Sequence, residues 1–249
     1  MGNYKIVALD LDGTLLDTEK NIAKSTAEYL ISIQKKFPII LITGRAYKNS
    51  KYYYKILNSH SYLVTNNGAQ IFYNNSLITQ SEIRNDNIEK LMSLSKKYKL
   101  KYVAFTEKDI LFELKKKDIL EESILKFTFI DIQSKQLNKN LVNEIQDIKG
   151  IDITNNTYKS IEINRQGVNK GIALQYIAKK LNVSLKECIV IGDSLNDLSM
   201  FTTNAISVAM GNAKRIIKEN SDFITLDNDN KGVEVALKKL LNQRSYLNN

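Results

Sequence analysis

Four short apolar runs, each ending in small or polar residues, constrain the fold of this chain more than any other feature. They occupy residues 5–10, 39–44, 62–66 and 188–193. Apolar runs of this length that are rich in β-branched residues are typical of strands buried on both faces, as in a parallel sheet. The sequence therefore predicts a central sheet that is covered on both sides.

Helical patterns lie between these runs. Residues 20–36 and 170–181 carry apolar positions close to the 3.6-residue period of a helix that packs on a core. Strands that alternate with helices indicate a parallel sheet. We therefore expect an α/β fold with a doubly wound, Rossmann-like parallel-sheet core.

The middle of the chain has a different pattern. Helix-like and alternating, strand-like stretches follow one another there, at residues 88–98, 100–105, 126–132, 137–148, 151–155 and 159–163. This mixture predicts an inserted α+β domain, with an antiparallel sheet. The expected division is a core domain over residues 1–82, the insert over 83–166 and the second part of the core over 167–249.

Composition removes several kinds of chemistry. With one histidine, His60, and one cysteine, Cys188, the chain cannot build a structural zinc cluster or a disulfide framework, and a Ser-His-Asp triad could use only His60. The net charge is +9, but most of the 36 Lys and Arg residues are Lys, and they are shared between the insert and the core. Because base readout favours Arg, we expect no nucleic-acid partner.

The distribution of apolar residues also bears on location. The first apolar run is interrupted by Asp10 and Asp12, so it lacks the continuous core of a signal peptide. No apolar run approaches the roughly 20 residues that span a bilayer. We therefore expect a soluble, cytoplasmic protein with no membrane partner.

Three polar clusters follow predicted strands. Asp10 and Asp12 follow the first run, residues 43–45 follow the second, and residues 192–197 follow the last. Ligand sites in open α/β sheets form at the carboxyl ends of the strands. The three clusters are therefore expected to meet at one edge of the sheet.

Each acidic cluster has two explanations. Residues two apart in an extended chain point the same way, so the carboxylates of Asp10 and Asp12 could converge. An Asp-Gly turn with surface carboxylates fits the same residues. If a helix begins in the last cluster, Asp193 and Asp197 share a face one turn apart, but acidic residues in a first turn can also act only as caps.

Two further signals fit a phosphate ligand. The Thr43 hydroxyl and the Gly44 amide could hold a phosphate oxygen, although Thr43 could equally cap a helix. Lys170 opens a helical pattern and could act as the point-charge partner of a phosphate. In a chain so rich in Lys, this residue gains weight only together with the other clusters.

The order of the clusters closely resembles the haloacid dehalogenase superfamily of aspartyl phosphohydrolases. The matching pieces are Asp-x-Asp-Gly-Thr, Thr-Gly-Arg, Lys and Gly-Asp-x-x-Asn-Asp, at residues 10–14, 43–45, 170 and 192–197. Further matches resemble the Cof-type sugar-phosphatase branch, at residues 65–69, 167–171 and 208–213. In that branch the insert between the second and third motifs is a cap domain, which implies the same role for residues 83–166.

The resemblance implies a chemistry based on carboxylates. Asp10 would be the nucleophile that forms an aspartyl-phosphate. Asp12 would protonate the leaving oxygen and then take a proton from the water that hydrolyses the intermediate. Mg²⁺ would be held by the Asp10 carboxylate, the Asp12 backbone carbonyl and Asp193, with Asn196 and Asp197 as further ligands or as support for them.

The remaining site residues concern the phosphate and the rest of the substrate. The resemblance implies that Thr43, Gly44 and Lys170 hold the phosphoryl oxygens. Asn67 lies in a matched loop and could either contact the substrate or only shape a turn. Arg165 stands near the return of the cap to the core, where we expect it to meet an anionic or polyol part of the substrate.

The leading hypothesis is a Mg²⁺-dependent phosphatase for small phosphorylated metabolites, such as sugar phosphates, nucleotides or pyridoxal phosphate. Two alternatives stay open. One is a phosphosugar mutase, because phosphomannomutases resemble this family. The other is a non-catalytic, basic nucleic-acid-binding or regulatory protein. We expect a monomer or a homodimer.

Overall fold

The structure of the chain, a computed structural model, describes residues 4–57 and 60–242. Within these residues the strands form two separate sheets. In chain order the strands are β1 (Ile6–Leu9), β2 (Ile39–Ile42), β3 (Tyr62–Thr65), β4 (Gln70–Tyr73), β5 (Ser76–Gln80), β6 (Lys101–Thr106), β7 (Ile110–Leu111), β8 (Ile124–Ile130), β9 (Ile151–Thr157), β10 (Ser160–Arg165), β11 (Cys188–Gly192), β12 (Ile206–Ala209) and β13 (Phe223–Ile224).

Helices join most of these strands. In the part of the chain that the structure describes, no helix has both the length and the apolarity needed to cross a membrane. The α-helices are α1 (Lys24–Ile33), α2 (Tyr47–Ile56), α3 (Asn85–Tyr98), α4 (Lys116–Glu121), α5 (Lys135–Gln146), α6 (Lys170–Lys180), α7 (Leu198–Phe201), α8 (Arg215–Glu219) and α9 (Gly232–Asn242), and short 3₁₀ turns lie at Asn66–Gly68, Leu185–Glu187 and Leu195–Asp197.

The larger sheet has eight strands in the order β13-β12-β11-β1-β2-β3-β4-β5. Its strands from β13 to β3 are parallel. The chain moves outward from β1 to β2 and β3 on one side, and later from β11 to β13 on the other, so the strand order reverses beside β1. The predicted α/β fold with a central parallel sheet is confirmed.

The apolar runs explain why these strands lie in the centre. Every residue of β1, β2 and β11 is buried. Helices α1, α2, α6 and α9 contribute apolar residues to the same core, among them Leu30, Tyr54, Leu174 and Leu237. A strand with no polar position must be covered on both faces, and these helices provide the cover.

The smaller sheet belongs to the inserted segment. Its five antiparallel strands lie in the order β7-β6-β8-β10-β9. They share a second apolar core with α3 and α5, in which Phe127 and Phe129 of β8 pack with Ile88, Leu91 and Leu141. We call these elements, residues 85–165, the cap.

Four strands of the larger sheet, β4, β5, β12 and β13, are not among the predicted strands. Strands β4 and β5 form a hairpin whose loop, Asn74-Asn75, has positive φ angles of 47° and 64°. Asn is among the residues that tolerate this conformation in two-residue hairpin loops. Because β5 is an exposed edge strand with no apolar run, only this loop could have predicted the hairpin.

The start of α6 is held tightly against α7. A Cβ atom added at Gly171 would lie 2.0 Å from the backbone oxygen of Ser199. The Gly171 amide also donates to the Ser199 hydroxyl at 3.1 Å. This close approach brings Lys170, the neighbouring residue, into the centre of the molecule, where it is fully buried.

Gly171→Ala should therefore destabilise the protein. Ala is favoured over Gly in a helix by about 1 kcal/mol, but the clash is with backbone and overpacking typically costs about 1–3 kcal/mol. We expect the cost of the clash to exceed the gain in helix propensity, so the free energy of unfolding measured in urea should fall. Gly167→Ala is the control, because a Cβ there meets no atom within 4 Å and only the φ of 77° opposes it. A variant at Gly171 as stable as wild type would contradict this packing.

Candidate active site

The carboxyl ends of β1, β2 and β11 bring the three polar clusters together. In the sheet, Leu9 of β1 lies opposite Ile191 of β11 on one side and Leu41 of β2 on the other. Asp10, Thr43 and Asp193 therefore follow adjacent strands at the same edge. This edge flanks the point where the strand order reverses, which is where open α/β sheets bind ligands.

Three carboxylates converge at this edge. One oxygen each of Asp10, Asp193 and Asp197 lies within 4.8 Å of the others. The Lys170 ammonium donates to Asp10 Oδ1 at 2.5 Å and to Asp197 Oδ1 at 2.6 Å. One buried cation thus faces three acidic groups, and the cluster keeps an excess of negative charge when all are ionised.

Burial and mutual repulsion perturb these groups. Burial raises the pKa of Asp10 well above its usual range, and Asp197 and Asp193 add to the effect against the opposing charge of Lys170. Burial also raises the pKa of Asp193 to about 6, with Asp197 again contributing. Burial acts to lower the pKa of Lys170, but Asp10 and Asp197 outweigh it and the pKa rises. The carboxylates would be stabilised by a further cation.

The donor set of this cluster fits Mg²⁺. All available atoms are oxygens, which suit a hard divalent cation. Asn196 Oδ1 is buried and has no hydrogen-bond partner among the described residues. At Gly13 a Cβ atom would lie 2.6 Å from Asp193 Oδ2, so only glycine allows the two loops to approach this closely. An unpaired acceptor beside converging carboxylates is the arrangement that a bound cation would satisfy.

Asp197 differs from the other two carboxylates because both its oxygens are occupied. Its Oδ1 accepts from Lys170, and its Oδ2 accepts from the backbone amides of Asp193 and Ser194 at 3.0 and 2.9 Å. The side chain therefore orients the loop that carries Asp193 and keeps Lys170 in place.

Asp12 lies apart from this cluster and is bound by two cations. Arg45 donates from Nε to Asp12 Oδ2 and from Nη2 to Asp12 Oδ1, each at 2.6 Å. Lys20 donates to Asp12 Oδ1 at 2.9 Å. Although burial acts to raise it, the hydrogen bonds from Arg45 and Lys20 hold the pKa of Asp12 at about 2. The carboxylate is therefore ionised at neutral pH. In this arrangement it has no proton to donate.

Thr43 and Gly44 line the cavity next to the acidic cluster. The Thr43 hydroxyl accepts the backbone amide of Arg45 at 3.1 Å, which leaves its proton available to a ligand. A Cβ atom at Gly44 would lie 2.8 Å from Asn67 Oδ1. The glycine therefore lets this loop approach a buried polar residue of the neighbouring one.

The cavity lies between the core and the cap and has a volume of about 280 Å³. Asp10, Asp12 and residues 43–46 line its floor from the core. The cap contributes Phe105, Lys126, Asn155 and Glu162. A small ligand that bound to the core carboxylates would therefore contact the cap with its other end.

Asn67 joins the two halves of the site. It is fully buried, and its backbone is left-handed, with a φ of 60°. Its Nδ2 donates to Glu162 Oε2 at 2.6 Å and to Thr154 at 3.1 Å, both in the cap, and its Oδ1 accepts from Asn196 at 3.0 Å. The residue does not line the cavity. Its hydrogen bonds connect the cap to residues 193–197, which we call the acidic loop.

Arg165 and two further cap residues differ in their relation to the cavity. Arg165 is exposed at the end of β10 and is not among the residues that line this cavity, so its expected substrate contact gains no support. Lys126 and Glu162, which do line it, are absent from the sequence analysis. The signal for Lys126 is a charged residue inside the apolar strand β8, where it needs a buried partner.

Comparison with known proteins agrees with this geometry. A family model described as haloacid dehalogenase-like hydrolase matches residues 7–237. The 5-amino-6-(5-phospho-D-ribitylamino)uracil phosphatase YcsE of Bacillus subtilis is 32% identical over 238 residues, which cover 95% of each chain. A phosphoglycolate phosphatase of Archaeoglobus fulgidus is 26% identical, over 95% of this chain and 96% of its own. The structure of a haloacid dehalogenase-like hydrolase from B. subtilis has the same fold, with a TM-score of 0.86 at 23% identity, over 95% of this chain and 99% of that one.

Arg45→Ala should raise the pKa of Asp12 above about 2, because the desolvation remains while the strongest hydrogen bonds are lost. Since folding depresses this pKa, the pair stabilises the protein above the unfolded pKa of about 3.9, and the contribution is lost as the pH falls toward the folded value. In the variant, the free energy of unfolding should therefore fall less steeply than in wild type as the pH decreases below about 3.9. Carboxyl ¹³C NMR titration measures the pKa directly.

The control for this titration is Lys24→Ala, which removes an exposed cation paired with Glu28. It should leave the titration of Asp12 unchanged. If the Asp12 midpoint in Arg45→Ala stayed at the wild-type value, Arg45 would not be the group that holds the carboxylate ionised.

Proposed function

Because the chain belongs to the haloacid dehalogenase-like hydrolases and is a phosphoric monoester hydrolase of that family, we propose that it is a Mg²⁺-dependent phosphatase of small phosphorylated metabolites. The reaction proceeds through an aspartyl-phosphate on Asp10. The observation that carries the proposal is the Asp10 carboxylate, which Lys170 holds by one oxygen at the floor of the cavity between core and cap.

Asp10 is suited to act as the nucleophile. Lys170 binds its Oδ1, and no described residue donates a hydrogen bond to Oδ2, which is free to attack phosphorus. A bond forms between Oδ2 and phosphorus while the bond from phosphorus to the leaving oxygen breaks. The Thr43 hydroxyl, the Gly44 amide and the Lys170 ammonium stabilise the negative charge on the remaining phosphoryl oxygens.

The acidic cluster would hold the cation. Asp10, Asp193, the backbone carbonyl of Asp12 and the unpaired Asn196 Oδ1 are the proposed ligands, and Asp197 orients the loop. When bound, Mg²⁺ supplies the positive charge that lets a phosphate dianion lie beside these carboxylates. The raised pKa values of Asp10 and Asp193 support this need, because burial and then the neighbouring carboxylates disfavour the charged forms of both groups.

Asp12 handles the protons. In its ionised form it accepts a proton from the water that attacks the aspartyl-phosphate. To protonate the leaving oxygen in the first step it must separate from Arg45 and take up a proton from solvent, because the hydrogen bonds from Arg45 and Lys20 keep its pKa at about 2. The side chain therefore acts from two positions, one paired with Arg45 and one directed at the leaving group.

The size of the cavity and the named relatives support small substrates. A volume of about 280 Å³ lies just below the range of typical ligand pockets, which is about 300–1,000 Å³. The relatives from B. subtilis and A. fulgidus are named for a phosphorylated ribityl compound and for phosphoglycolate. Sugar phosphates, nucleotides and pyridoxal phosphate are the classes to be tested first.

Asp10→Asn should abolish turnover of p-nitrophenyl phosphate, with kcat reduced by at least about 10³-fold, because an amide cannot form the acyl-phosphate. The fold should persist, since a neutral amide is easier to bury than a carboxylate. Phosphate release and circular dichroism measure the two effects. Asp86→Asn, at an exposed carboxylate of the cap, is the control, and activity retained in Asp10→Asn would refute the proposed nucleophile.

Removal of the metal should stop the reaction. Excess EDTA is expected to reduce phosphate release to background, and added MgCl₂ to restore it. Asp193→Asn should raise the Mg²⁺ concentration for half-maximal activity by about 10-fold or more, because a ligand is lost. A rate that is insensitive to EDTA would exclude the proposed role of the acidic cluster.

A further inference from the structure

Lys126 is a buried cation that the cap contributes to the cavity. It is only 3% exposed, between Leu125 and Phe127 of β8. Its ammonium donates to the backbone oxygen of Gly44 at 2.7 Å and lies 4.1 Å from the centre of the Phe105 ring. Gly44 belongs to residues 43–45, which we call the phosphate loop, so Lys126 lies on the cap wall of the cavity next to the proposed phosphate site, on the side where the leaving group would lie.

Glu162 balances this charge. Its Oε2 lies 3.6 Å from the Lys126 ammonium and accepts from Asn67 Nδ2 at 2.6 Å. The two members of the pair are thus anchored on the core separately, Lys126 by Gly44 and Glu162 by Asn67. Burial lowers the pKa of Lys126, and the charge of Glu162 opposes that change.

Asn155 adds an unused acceptor to the same wall. Its Oδ1 is buried and has no hydrogen-bond partner in the described part of the chain, and the residue lines the cavity beside Glu162. A buried acceptor without a donor is unfavourable. A hydroxyl group of a bound ligand would satisfy it.

Among the described residues that line the cavity, no cation is left unpaired for the leaving group. While the ester binds, Lys126 is neutralised by Glu162, and Arg45, the other cation of the lining, bonds both oxygens of Asp12, from which it separates only for the proton transfer. A neutral hydroxylated group can donate to Glu162 and Asn155 and accept from Lys126. A carboxylate in the same place would face the Glu162 carboxylate and the Asn155 oxygen, and would be repelled.

We propose that Lys126 and Glu162 form a charge-balanced pair that selects the leaving group, favouring neutral hydroxylated groups over groups that carry a carboxylate. This inference rests on the proposed phosphatase function. The pair determines specificity through its net charge: a wall with no net charge favours a neutral leaving group, whereas a wall with an uncompensated positive charge would attract a carboxylate. Removing either member should therefore shift the preference, and the two shifts should have opposite signs.

The test compares kcat/KM for ribose 5-phosphate, whose leaving group is neutral, with kcat/KM for phosphoglycolate, with MgCl₂ present. Wild type should prefer ribose 5-phosphate. In Glu162→Gln the charge of Lys126 is uncompensated, so the ratio of ribose 5-phosphate to phosphoglycolate should fall by about 10-fold or more. In Lys126→Met the charge of Glu162 is uncompensated, and the ratio should rise.

Two features keep this test decisive. Glu162→Gln has nearly the same shape and can still accept from Asn67, so it remains informative even if Lys126→Met does not fold. Lys101→Met is the matched control, because Lys101 is a cap lysine that pairs with Asp131 and whose side chain is 77% exposed. It should leave both rates unchanged.

The outcomes separate this inference from the function on which it rests. If wild type hydrolyses both esters but Glu162→Gln leaves their ratio unchanged, or if wild type prefers phosphoglycolate, the selective pair is refuted and the phosphatase function stands. If wild type releases no phosphate from either ester or from p-nitrophenyl phosphate, the phosphatase function fails and the inference falls with it.

Discussion

The contact on which the site depends is the buried ammonium of Lys170 between Asp10 and Asp197. Lys170 is fully buried, and so is Asp197. Burying charges in this way is unfavourable unless each is paired and hydrogen-bonded. Here the pairing joins the end of β1, the start of α6 and the loop after β11, so three segments distant in sequence reach one point. The need to pair each buried charge also explains two neighbouring features. Gly171 approaches Ser199 closely, and both oxygens of Asp197 accept hydrogen bonds.

The cap completes this arrangement. The core provides the carboxylates and the phosphate loop, but the wall opposite them consists of cap side chains. Asn67 links the two by bonding to Glu162 and Asn196 at the same time. A displacement of the cap would therefore break hydrogen bonds to a fully buried residue next to the acidic loop. The position of the cap and the geometry of the proposed metal ligands are coupled through one amide side chain.

The charges that concern function are buried or half-buried pairs, not the lysine-rich surface. The net charge of +9 suggests steering of anions at most. Within the site, by contrast, each cation has a specific carboxylate partner: Lys170 with Asp10, Arg45 with Asp12 and Lys126 with Glu162. In a medium of low dielectric constant such pairs interact strongly, and each partner fixes the position of the other.

The sequence by itself determined the parts of this protein that depend on local pattern. Runs without polar positions had to be buried strands, and the polar residues at their ends, Asp10, Thr43 and Asp193, had to lie at one edge of the sheet. The β4–β5 hairpin was missed because its edge strand carries no apolar run. The cap wall was missed because Lys126 contacts Gly44 and Glu162 contacts Asn67 across 82 and 95 residues of chain. Only the tertiary structure decided those contacts and the pairing of Asp12 with Arg45, since no local period relates residues on separate sheets or loops.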